Sequence, residues 1–129
     1  MFKGTKVFDV HGHVSAPPAA RSWIIGGMSS GHQGASPYRS GGNNPITPEA
    51  MLESNTRHAN YMDDRNIDVQ VLGPRPFMMM GWMPPHLLNR WCEFTNDTID
   101  AQVKNFPTRF MGATMLPQIA SAPDLSNCI

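Results

Sequence analysis

The chain alternates short apolar runs with long helical stretches, and that order constrains its fold more than any other feature. Lys6 to Val10, Asp68 to Leu72 and Phe110 to Leu116 read as buried strands. Each pair of runs is separated by far more residues than a hairpin turn needs, and the intervening segments have helical periodicity. Strand, loop, helix, strand, loop, helix, strand is the pattern of a parallel sheet with right-handed crossovers, so the expected class is α/β.

The helices are marked at their ends as well as along their length. Thr47 is placed to cap the first, Pro48 fits its first position, and Glu49 sits beside the positive end. This helix is expected to run to about Arg65, with Leu52, Ala59 and Met62 as its core stripe and Asn66 closing it in the left-handed conformation. A second begins near Pro84 and Pro85 and places Leu88, Trp91, Thr95, Ile99 and Val103 at three- and four-residue intervals before stopping ahead of Pro107. A third is expected from Ser121 or Ala122, with Pro123 in its first turn.

Prolines and glycines concentrate between Val14 and Pro48 and between Gly73 and Pro85, which predicts two long loops of the kind that carries function. The 129 residues suit one domain, and ten basic residues balance ten acidic ones without clustering. No nucleic-acid or anionic-membrane partner is therefore expected. No apolar segment approaches the roughly 18 residues of a membrane span, and Met1 to Val10 lacks a secretory core, so a cytoplasmic protein is expected. Cys92 and Cys128 form no C-x-x-C pair, and buried, reduced thiols are expected in preference to nucleophiles.

His11-Gly12-His13 closes the first run, and two residues apart on a strand both imidazoles project to one side, within reach of one metal ion. Regular alternation puts Asp9 on the same face. On spacing alone the pair reads as a metal site or as a surface, hydrogen-bonded pair. Arg75, just after the second strand, could grip a carboxylate through two parallel hydrogen bonds or be a solvated loop arginine. The methionine-rich stretch Phe77 to Met83, near His86, reads as pocket wall in preference to a copper site. His32 and His58 read as surface histidines, Trp23 and Trp91 as packing residues, and Arg109 as a stabilising residue paired with a helix or loop carboxylate.

Phe8-Asp9-Val10-His11-Gly12-His13, Leu72-Gly73-Pro74-Arg75 and the segment from Phe106 to Gln118, in which Pro107 and Arg109 precede an apolar strand ending in Leu116-Pro117, together resemble the amidohydrolase-related family. That family includes aminocarboxymuconate semialdehyde decarboxylase and other aromatic-acid decarboxylases. The His-Gly-His form, the Pro-Arg after strand two and Met115-Leu116-Pro117-Gln118 look most like its 4-oxalomesaconate hydratase branch. The resemblance covers nearly the whole chain. It implies the N-terminal part, about three β/α units, of a metal-dependent (β/α)8 TIM barrel, which typically needs ~250 residues. Residues 1–129 would then form a single partial domain, with a long loop at 14–48 after strand one.

By the same resemblance His11 and His13 bind a divalent metal, usually zinc, and Arg75 binds substrate. The family's remaining ligands, histidines of later strands and an aspartate near the last, have no counterpart in this sequence, nor does an acid or base for proton transfer. The expected function is the N-terminal part of a metal-dependent lyase, hydratase-like, acting on a small carboxylate-rich product of aromatic ring cleavage. A decarboxylase or hydrolase on the same metal scaffold is the nearest alternative. A non-catalytic half barrel acting through assembly is the other, and a homo-oligomer is expected because an incomplete barrel exposes strand edges and apolar faces.

Overall fold

The computed structural model describes residues 2–20, 46–75 and 84–117, apart from the side chain of His86. In chain order the elements are β1 (Phe8–His13), α1 (Pro48–Asp63), β2 (Val69–Gly73), α2 (Pro85–Asn105) and β3 (Phe110–Gly112). The strands form one sheet in the order β1-β2-β3, and both pairings are parallel. The α/β reading therefore stands, with an open three-stranded sheet among the described residues. The third helix, the methionine-rich stretch, His32, Trp23, Cys128 and most of the loop after β1 lie outside those residues. None of the described helices is long and apolar enough to cross a membrane.

α1 begins as its sequence requires. Thr47 is extended, and its side chain accepts a hydrogen bond from the Ala50 amide at 3.2 Å, satisfying one of the amides a helix start leaves without a partner. Just past the helix, Asn66 adopts φ 56°, the left-handed conformation asparagine tolerates. Ala59 and Met62 are buried as expected, but Leu52 is exposed and its neighbour Met51 takes its place in the core stripe. On α2, Leu88, Trp91, Thr95 and Ile99 are all buried, as is Cys92.

Both helices cover one face of the sheet. Leu72 and Phe110 join Met51, Ala59 and Met62 of α1 and Leu88, Trp91, Phe94 and Ile99 of α2 in a single apolar cluster. Each large side chain fully buried there contributes roughly 1.5–3 kcal/mol. The opposite face has no helix among the described residues, and it carries Phe8, Val10 and Met111, which are 55, 77 and 54% exposed.

Two strand C-termini differ from expectation by three or more residues. β1 runs on through His13, because the ladder to β2 continues beyond a register shift, from Asp9 opposite Gln70 to Gly12 opposite Leu72 and His13 opposite Gly73. β3 stops at Gly112 instead of Leu116. Beyond Ala113, whose amide still reaches Leu72, the Asn96 side chain of α2 takes both backbone groups of Met115, accepting from its amide at 2.7 Å and donating to its carbonyl at 3.0 Å. A side-chain amide thus replaces the neighbouring strand as hydrogen-bond partner.

Candidate functional site

The candidate site lies at the C-terminal ends of β1 and β2, the edge at which parallel α/β sheets place their ligands. Between the Asp9–Gln70 and Gly12–Leu72 pairings β1 advances three residues while β2 advances two, so β1 carries one extra residue, a β-bulge. An extra residue reverses the alternation of faces. Asp9 and Gly12, three apart, both lie against the Gln70 side chain: the Asp9 carboxylate accepts its amide, and a Cβ built on Gly12 would lie 2.4 Å from Gln70 Cδ. Phe8 before the bulge, and Val10 and His11 within it, are exposed.

His11 and His13 are brought together. Their ring centroids are 5.1 Å apart with planes at 89°. His13 Nδ1 lies 3.0 Å from the Pro74 carbonyl, and because a carbonyl can only accept, Nδ1 is the donor and the neutral ring would present Nε2 as its acceptor. Asp9 does not join them as expected. The bulge turns it toward Gln70, and its other oxygen accepts the His11 backbone amide at 3.0 Å. These two hydrogen bonds, from the Gln70 side chain above all, hold the Asp9 carboxyl below its usual range. Among the described residues no three or more His, Cys, Asp or Glu side chains are grouped so as to hold a metal ion.

Arg75 follows β2 directly, beside the end of β1. Its Nε donates to the Val14 carbonyl at 3.2 Å, and the residue is exposed. At the opposite end of the sheet Arg109 takes the part expected of it, pairing with Asp63 at 2.7 Å and donating to the carbonyls of Ile67 and Asp68.

His58 is not a surface histidine. It is partly buried between α1 and the sheet, with Nε2 2.7 Å from Gln70 Oε1 and Nδ1 2.9 Å from Gln102 Nε2. Phe110 packs on its ring at 5.0 Å between centroids. Gln102 Oε1 accepts from the Ser15 amide at 2.8 Å and from the Ser15 hydroxyl, Asn55 donates to the Ser15 carbonyl and hydroxyl, and Asn105 donates to Asn55. Burial lowers the His58 pKa and the Arg75 charge adds to this; the Gln70 hydrogen bond and the Asp9 charge act in the opposite sense.

No family model matches the chain. Its fold is similar to the crystal structure of 4-oxalomesaconate hydratase from Rhodopseudomonas palustris, with a TM-score of 0.70 and 24% sequence identity over 95% of this chain and 35% of that one. The likeness is one of fold, and the chain spans about a third of that protein's length.

Proposed function

We propose that this chain forms the N-terminal portion of a hydratase-like, metal-dependent lyase that acts on a small carboxylate-rich product of aromatic ring cleavage, with His11 and His13 as metal ligands. The observation that carries the reading is the histidine pair. Two imidazoles bound at ~2.1 Å to one tetrahedral ion have centroids about 5 Å apart, and the pair's 5.1 Å is consistent with that. His13 also meets a common requirement of metal-ligating histidines, since its second nitrogen donates to a backbone carbonyl and leaves Nε2 to coordinate. The fold likeness to a hydratase supports the branch.

When bound, a divalent ion such as zinc supplies Lewis acidity that brings water's pKa down to about 7. Neutral imidazoles suit such an ion, and His11 and His13 would hold it at the open edge of the sheet. Arg75 would orient the substrate. With Nε tied to Val14, its terminal nitrogens are the ones that would take a carboxylate, fixing which end of the substrate lies beside the histidines.

Zinc titration of the 129-residue chain, followed by the side-chain NMR signals of its histidines, tests the ligand assignment. The signals of His11 and His13 should shift together, and either His11→Ala or His13→Ala should abolish the response. Unchanged zinc binding in both variants would overturn the reading. The exposed Phe8, Val10 and Met111, on the face that no described helix covers, favour a second reading, in which the chain acts through association with another copy of itself. Sedimentation would decide: a monomer at all concentrations would remove it.

A further inference from the structure

Four side chains from both helices and two strands meet beneath the histidine pair: Asp9 of β1, Gln70 of β2, His58 of α1 and Gln102 of α2. Their donors and acceptors can be assigned from the two ends inward. The Asp9 carboxylate only accepts, so the Gln70 amide presents its NH2 there and its oxygen to His58 Nε2. The Ser15 amide only donates, so Gln102 presents its oxygen there and its NH2 to His58 Nδ1. His58 must therefore donate at Nε2 and accept at Nδ1. The neutral Nε2–H tautomer alone satisfies both neighbours.

We propose that His58, locked in this tautomer, is a positioning residue for the end of β1. By fixing the orientation of the Gln70 amide, it holds the Asp9 carboxylate on the His11 backbone amide, and so keeps the bulge that carries His11 and His13. For its effect on metal affinity the inference rests on the ligand reading above; for the geometry of β1 it stands independently. An apolar residue at 58 would leave the Gln70 oxygen without its donor, so that the Asp9 contact alone would hold the amide.

Two conservative variants divide the roles of the two ring nitrogens. The Nε2 of glutamine falls where His58 Nε2 does, so His58→Gln retains the donor to Gln70. The Oδ1 of asparagine falls where Nδ1 does, so His58→Asn retains only the acceptor for Gln102. Histidine side-chain NMR of the unaltered chain near pH 7.5 should show His58 as the Nε2–H tautomer, a measurement that needs no variant. Hydrogen exchange of the His11 amide should be slow in the parent and in His58→Gln and faster in His58→Asn. Zinc affinity should stay within about threefold in His58→Gln and fall about tenfold in His58→Asn, the lower end of what loss of an outer-shell partner costs.

A protonated or Nδ1–H His58 at that pH, or equal His11 exchange in the two variants, would overturn the proposal. Zinc binding that leaves His11 and His13 untouched in the parent would instead sink the ligand reading, and the positioning role would then be judged on tautomer and exchange.

Discussion

Gly12 sits between the two histidines, and its replacement by alanine tests the close approach on which the site's geometry depends. The new Cβ would lie 2.4 Å from Cδ, 2.5 Å from Cγ and 2.6 Å from Oε1 of Gln70, all far inside contact distance. A flexible glutamine would swing away at little cost, but this one is buried and its amide is held at both ends, by Asp9 and His58. Either the clash stays, costing about 1–3 kcal/mol as overpacking does, or Gln70 moves. Moving it forfeits a hydrogen bond to a carboxylate, worth roughly 1.5–3 kcal/mol. We expect Gly12→Ala to destabilise the chain by about 3 kcal/mol in urea unfolding, with zinc binding weakened in parallel. In a Gln70→Ala background all three close contacts vanish, so the same substitution should cost less than about 1 kcal/mol, a coupling well beyond that of independent sites. Equal costs in the two backgrounds would refute the reasoning.

Two further outcomes follow from groups outside the histidine pair. Arg109→Ala removes an ion pair to Asp63 and hydrogen bonds to two carbonyls, so unfolding should become easier by about 2–3 kcal/mol while zinc affinity stays unchanged; Arg109→Lys should recover little of the loss, since a single ammonium cannot serve that fork. His58 has its pKa lowered from the ordinary 6.5, chiefly by burial, so its contribution is fully present above that value, where folded and unfolded chains are both neutral. As pH falls below 6.5 the unfolded chain takes up a proton that the folded chain resists, and stability declines until the folded pKa is passed. Urea midpoints of the parent and His58→Gln, compared between about pH 7.5 and pH 5, should show a steeper acid decline in the parent; parallel curves would contradict the assignment.

What could be read from the sequence was local. Thr47 and Asn66 do at the ends of α1 what their side chains favour anywhere, and the spacing of Leu88, Trp91, Thr95 and Ile99 put the right face of α2 in the core. The errors arose where a distant partner changed the rule. Period-two alternation assigned Asp9 to the histidine face, and one extra residue in β1, defined only by pairing with β2, turned it away. Apolar character carried β3 to Leu116, but Asn96 of α2 takes the Met115 backbone that a longer ladder would need. His58 looked solvated because its helical face is polar, and its partners lie 12 residues away at Gln70 and 44 away at Gln102. One local signal does point to the departure in β1: a lone glycine inside a strand pattern marks a bulge or a close approach, and Gly12 marks both.

The polar layer under β1 has a physical consequence that apolar packing could not give. Apolar side chains of similar size at positions 58, 70 and 102 would bury as much area, but dispersion is non-directional and would not hold the bulge where it is. Loss of the bulge, a slip of one residue in register, would exchange the faces of every later side chain, sending His11 and His13 toward the helices. In the observed layer each donor meets an acceptor from the Asp9 carboxylate through to Asn105, so a register slip would leave buried polar atoms without partners on two strands and two helices at once. The arrangement therefore exacts its energetic penalty from the competing registers, which is how an exposed edge keeps its two histidines on one face.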